Sequence, residues 1–163
     1  MKKTSVRYSR IFSYICALLM LLLLVTQFLP FWDCSGCEDG TASISDYVWF
    51  PEHHKDITNN IMKDLYGKKF EVSQVVLTPV LILACSVLGI FFCIKNAHKP
   101  LFAIIPLIGG GAGVFGYLTS PGLQAGQNWI IHLVASALVL VCALVVLSEP
   151  IVKLAKKKAA AKQ

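Results

Sequence analysis

Four apolar blocks, at about 11–30, 75–94, 101–119 and 128–147, leave this chain few ways to fold. Each is roughly 20 residues long, which as a helix covers a bilayer hydrocarbon core of about 30 Å. A backbone in lipid must pair its own polar groups, and a helix does so locally. With 56% hydrophobic and 15% charged residues over 163 positions, no room is left for a separate soluble domain. The expected fold class is all-α: an integral membrane four-helix transmembrane bundle forming one domain over 1–163. It carries one structured extracytoplasmic loop at about 31–73 and a basic cytoplasmic tail at 150–163.

The net charge of +6 reads as topology once its placement is followed. Lys2, Lys3, Arg7, Arg10, Lys95, Lys99, Lys153, Lys156, Lys157, Lys158 and Lys162 all fall on one side of a four-span chain, whereas every acidic residue except Glu149 falls in the first loop. Lys/Arg asymmetry of this kind puts both termini in the cytoplasm and the loop outside, as in a multi-pass protein of the plasma membrane; the short format fits a bacterial inner membrane. A lipid bilayer is the expected environment, and no nucleic-acid partner is expected. Lys2, Lys3, Arg7 and Arg10 precede the first apolar run as in a signal peptide. That run exceeds a signal core of about 7–15 residues and meets no small-x-small site, so the first span is expected to be retained.

Within the loop, Ser43 to Phe50 alternates enough for a short strand or an interfacial segment stopped by Pro51. Asp56 is placed to cap a short amphipathic helix carrying Ile57, Ile61 and Leu65 on one face. Pro79 is expected near the outer end of the second span, and Pro106 is expected to bend the third. The third span repeats small residues four apart, Gly109 with Gly113 and Ala112 with Gly116. Such a stripe lets helices pack closely, here expected within the chain. Gln27 and His132 lie near the outer ends of their spans, where a hydrogen bond between them is expected.

Candidate chemistry centres on Phe31-Trp32-Asp33-Cys34-Ser35-Gly36-Cys37, at the exit of the first span. Cys16, Cys85, Cys93 and Cys142 sit within spans, where a thiol acts as a small apolar group. For Cys34 and Cys37 three readings stand: a local disulfide that clasps the loop, a redox-active pair, or a divalent-metal site completed by His53 or His54. Asp33 and Glu38 disfavour a reactive thiolate and favour a cation. Four spans with an outward Cys-x-x-Cys are similar in topology to the quinone-coupled thiol oxidases of the disulfide-bond-forming membrane family. Those enzymes use a second outward pair, which this sequence lacks.

The function expected is a non-enzymatic accessory or interaction component, using its extracytoplasmic loop on a membrane or extracytoplasmic protein partner. A membrane thiol-disulfide redox protein acting through Cys34 and Cys37, and an extracytoplasmic metal-binding protein, are the alternatives. The sequence sets no oligomeric state.

Overall fold

The structure, a computed structural model, describes residues 2–33, 40–49, 57–59, 61, 72–95 and 100–160; in 2–9, 72–74, 100 and 150–160 it describes the backbone alone. The chain is mostly helical: α1 (Lys2–Thr26), α2 (Ile44–Trp49), α3 (Val72–Lys95), α4 (Ile104–Thr119), α5 (Pro121–Gln124) and α6 (Trp129–Ala160). Among the described residues, three stretches are helical, long and apolar enough to cross a membrane: Val75–Lys95, Leu101–Thr119 and Trp129–Glu149. Apolar side chains such as Leu77, Val87, Phe91, Phe115, Leu138 and Val141 are more than half exposed or close to it, opposite an equally apolar buried face. Helices apolar on both faces belong in lipid, and this is a membrane protein.

The first block behaves differently. Its apolar helical part is Arg10–Thr26, at 17 residues only about 25 Å long. The expected span to residue 30 is cut short because three successive amides, of Gln27, Phe28 and Leu29, bond the carbonyls of Leu24, Val25 and Thr26, tightening the last turn. Thr26 returns its hydroxyl to the Leu23 carbonyl at 2.8 Å, and Pro30 has no N–H with which to continue.

Strands β1 (Pro30–Asp33) and β2 (Thr41–Ser43) follow, so the all-α expectation is amended by a two-stranded antiparallel sheet. Pro30 pairs with Ser43, Trp32 with Ala42 and Asp33 with Thr41, with a bulge between Pro30 and Trp32. Of the two readings of Ser43 to Phe50, a short strand or an interfacial segment, the strand is corrected: Ser43 ends β2 and Ile44–Trp49 is α2. The Ser43 hydroxyl accepts from the Asp46 amide at 3.1 Å, while the Asp46 carboxylate accepts from the Ser43 amide at 2.8 Å. This reciprocal capping box starts a helix whatever the hydrophobic alternation suggests. Beyond it, Ile57–Asn59 and Ile61 are helical, and Ile57 and Ile61 are buried.

α1 packs on α3 and α6, and α4 packs on the same two helices. Pro79 lies toward the start of α3, as expected, though deeper than its first turn, whereas Pro106 sits where it need not bend α4. α3 starts at Val72, so Pro79 lies two turns inside it and leaves the Val75 carbonyl without its helical donor. Pro106 sits in the first turn of α4, where a missing donor is harmless; the departure from α geometry comes earlier, as a 3₁₀ turn over Pro100–Ala103. α6 does not stop at Pro150. It runs on through the Lys- and Ala-rich segment, strong helix formers, to Ala160.

The glycines of α4 mark the closest approaches. A Cβ on Gly109 would lie 2.7 Å from Cys85 Cβ on α3, and one on Gly110 would lie 2.8 Å from the Leu140 amide nitrogen on α6. Gly113 abuts Ser136 and Gly116 abuts Thr78, with no space for a side chain. Ala112 is half-buried.

Candidate functional site

Where α1 ends, Gln27 is committed in two directions. Its main-chain carbonyl accepts from the Ser45 amide at 3.0 Å, tying α2 to the end of α1. Its side-chain amide turns inward, donating to the Leu23 carbonyl at 3.4 Å and to His132 Nδ1, on α6, at 3.2 Å. With Nδ1 accepting, the neutral imidazole keeps its hydrogen on Nε2. The hydrogen bond expected between these residues is present. Both side chains are fully buried rather than at a wet boundary.

An aromatic shell closes over that pair. The Phe31 ring meets His132 edge-on at 4.9 Å, Tyr117 tilts against it at 5.5 Å, and Trp32 packs on Phe31 at 4.7 Å. Tyr47 of α2 lies 5.4 Å from Trp32, extending the shell into the loop. Phe31, Tyr47, Tyr117 and His132 are at most 1% exposed.

The turn between α4 and α6 completes the enclosure. Trp32 Nε1 donates to the Gly122 carbonyl at 3.2 Å, the Gln127 amide donates to the Phe31 carbonyl at 2.6 Å, and the Gln127 side chain donates to Asp33 at 2.9 Å. Gly126 is needed at its position because the Phe31 ring occupies the space a Cβ would take. Asn128 then enters α6 with φ +60°, a left-handed conformation that Asn tolerates better than most residues. The β1–β2–α2 unit is thus pinned to α1, to α6 and to the α4–α6 turn.

Beneath the shell, Gln27 Oε1, His132 Nε2 and the Tyr117 hydroxyl are buried without a hydrogen-bond partner, as are the Ser136 and Ser86 hydroxyls deeper in. Ser136 is one helical turn from His132 on α6. The arrangement supplies hydrogen-bonding capacity without formal charge. Among the described residues, no group of three or more His, Cys, Asp or Glu side chains is arranged to hold a metal ion.

Cys34, Cys37, His53 and His54 lie outside the described residues. Cys34 and Cys37 fall in the connection between β1 and β2, whose ends Asp33 and Thr41 are paired.

At the opposite end of the helices, sequence reasoning missed a second grouping. Cys16 of α1, Cys93 of α3 and Cys142 of α6 are at most 6% exposed and share one buried cluster with Ala17 and Ala143. Cys142 donates to the Phe12 carbonyl at 3.4 Å. All three are free thiols, as is Cys85. Counting inward from the charged ends would not have grouped them, because Cys93 lies only two residues from Lys95 whereas Cys16 and Cys142 lie six and seven from Arg10 and Glu149. The capping box Ser43-Ile44-Ser45-Asp46, by contrast, was open to reading.

No protein-family model matches this chain, and no curated protein or solved structure is significantly similar to it.

Proposed function

We propose that this protein is a non-enzymatic plasma-membrane component: a four-span helical bundle with both termini cytoplasmic, whose extracytoplasmic loop engages a membrane protein partner. α1 serves as the fourth span. It packs on two of the candidate membrane helices, and Ile11, Ile15, Leu18, Leu22 and Val25 turn apolar surface away from them. The Lys/Arg asymmetry supplies the orientation.

The observation that carries the functional reading is Trp49. Phe31, Trp32 and Tyr47 of the loop are buried, whereas Trp49, at the end of α2, is 65% exposed. It overhangs a recess of about 420 Å³ whose lining includes Phe28, Val48, Val80 and Leu83. The Ser43–Asp46 cap and the Ser45-to-Gln27 bond anchor the start of α2, which lowers the cost of ordering it on binding. An exposed aromatic beside an apolar recess has the makings of an interface anchor. Cys34 and Cys37 then act as a clasp on the β1–β2 connection.

A photo-crosslinking residue at position 49, introduced in native membranes, tests this. We expect a discrete protein adduct at 49 that is missing when the same probe replaces lipid-facing Leu138. Lipid adducts alone at both positions would refute the assignment.

A further inference from the structure

A second recess lies on the same flank, toward the end of α3. It has a volume of about 740 Å³ and is lined by Leu24, Val87, Ile90, Phe91, Ile94 and Lys95. Val87, Phe91 and Ile94 are more than half exposed, while Leu24 and Ile90 are set deeper. Apart from Lys95 every lining residue is apolar. Lys95 closes the recess, its ammonium standing 5.1 Å from the centre of the Phe91 ring.

We infer that this recess binds a phospholipid with an anionic headgroup, one acyl chain lying along Val87 to Ile94 and the phosphate at Lys95. Two features select that occupant. The first is length. Eight residues separate Val87 from Lys95, about 12 Å along the helix, close to the depth of one leaflet, half of a hydrocarbon core of about 30 Å. The recess under Trp49 shares Leu24 and Val87 with this one, so the two are continuous along one flank. The second is charge. A lipid chain entering at this depth carries its phosphate to the last turn of α3, where Lys95 supplies the complementary cation at the negative end of the helix dipole. An anionic lipid uses both the apolar floor and the ammonium at its rim, whereas a purely apolar helix would use only the floor. The phosphate oxygens would accept hydrogen bonds from Nζ, and the Phe91 ring would hold the lysine's position.

Native mass spectrometry of the full chain tests the assignment, with equal amounts of phosphatidylglycerol and phosphatidylcholine of identical acyl composition. The wild type is expected to retain one phosphatidylglycerol in preference to phosphatidylcholine, and Lys95→Gln to reduce that preference about fivefold. Lys156→Gln, in the basic C-terminal part of α6, is the control for nonspecific attraction and should leave the preference unchanged. Ile90→Trp, which fills the floor of the recess, should remove the retained lipid of either kind while thermal unfolding confirms a folded chain. An unchanged preference in Lys95→Gln overturns the proposal. So does an equal loss in Lys156→Gln, or a dimer mass in place of the lipid adduct.

Discussion

Gly110 and Gly111 are neighbours in α4, and alanine at the two should have opposite consequences. A Cβ at Gly110 would stand 2.8 Å from the Leu140 nitrogen, 2.9 Å from the Ser136 carbonyl oxygen and 3.1 Å from Leu140 Cα. All three are backbone atoms of α6, so no rotamer change relieves the overlap. α4 and α6 must part by about half an ångström, and a gap of that order forfeits about a quarter or more of each contact's attraction along the interface. At Gly111 the nearest atom is the flexible Leu140 Cδ1 at 3.9 Å, an ordinary contact. Each substitution gains the same helix propensity, about 1 kcal/mol, which cancels between them. What remains is overpacking at 110 alone, so Gly110→Ala should be less stable than Gly111→Ala by about 1–3 kcal/mol. For a chain of this size that is a melting difference of about 2–12 °C, read by thermal unfolding of both variants in one detergent. Adding Leu140→Ala should not rescue Gly110→Ala, because it removes no backbone atom. If Gly110→Ala matches or exceeds Gly111→Ala, the α4–α6 backbone contact is not as described.

Three further outcomes are expected. Gln27→Leu leaves His132 Nδ1 unpaired and should cost about 1–3 kcal/mol, whereas Gln27→Leu with His132→Phe should cost less than the sum of the single changes; additivity within about 0.5 kcal/mol in a double-mutant cycle would reject the pairing. Asp46→Ala removes the acceptor for the Ser43 amide and should cost about 1 kcal/mol, confined to the loop and seen as faster hydrogen exchange over 43–49; unchanged exchange there would remove the capping box. Cys16, Cys93 and Cys142 should resist a membrane-permeant maleimide in native membranes and react in SDS, whereas Cys34 and Cys37, as a clasp, should react only after reduction. Labelling released by a chelator would instead favour a metal held with His53 or His54, and a state that responds to quinone would favour redox exchange.

What could be read from the residues was set by range. Hydropathy over about 20 positions found the membrane helices, because burial in lipid is a property of a whole segment. Ends were less legible. α1 stops at Thr26 because a side chain returns to its own backbone and a proline follows, while the apolar run itself continues through Leu29. α2 was obscured by alternation that a reciprocal Ser43–Asp46 cap overrides. The thiol cluster and the shell round His132 depend on which turn of one helix faces which turn of another, and segment composition does not encode that. Gln27 with His132 was accessible because both were polar residues at similar depth. Gly110 was passed over because a rule of spacing by four selects pairs, whereas the contact with Leu140 depends on one position's rotation about the helix axis.

The shell round His132 also has a consequence in time. Phe31, Trp32 and Asp33 are synthesised well before Gly122, Gln127 and His132, which satisfy them and are separated from their partners in the loop and α1 by 90 to 105 residues. During synthesis the loop cannot close until α4 and α6 are in place. Until then it displays two large aromatic rings and a carboxamide lacking its His132 partner. A chain interrupted before α6 would therefore leave uncovered the rings that the finished fold buries.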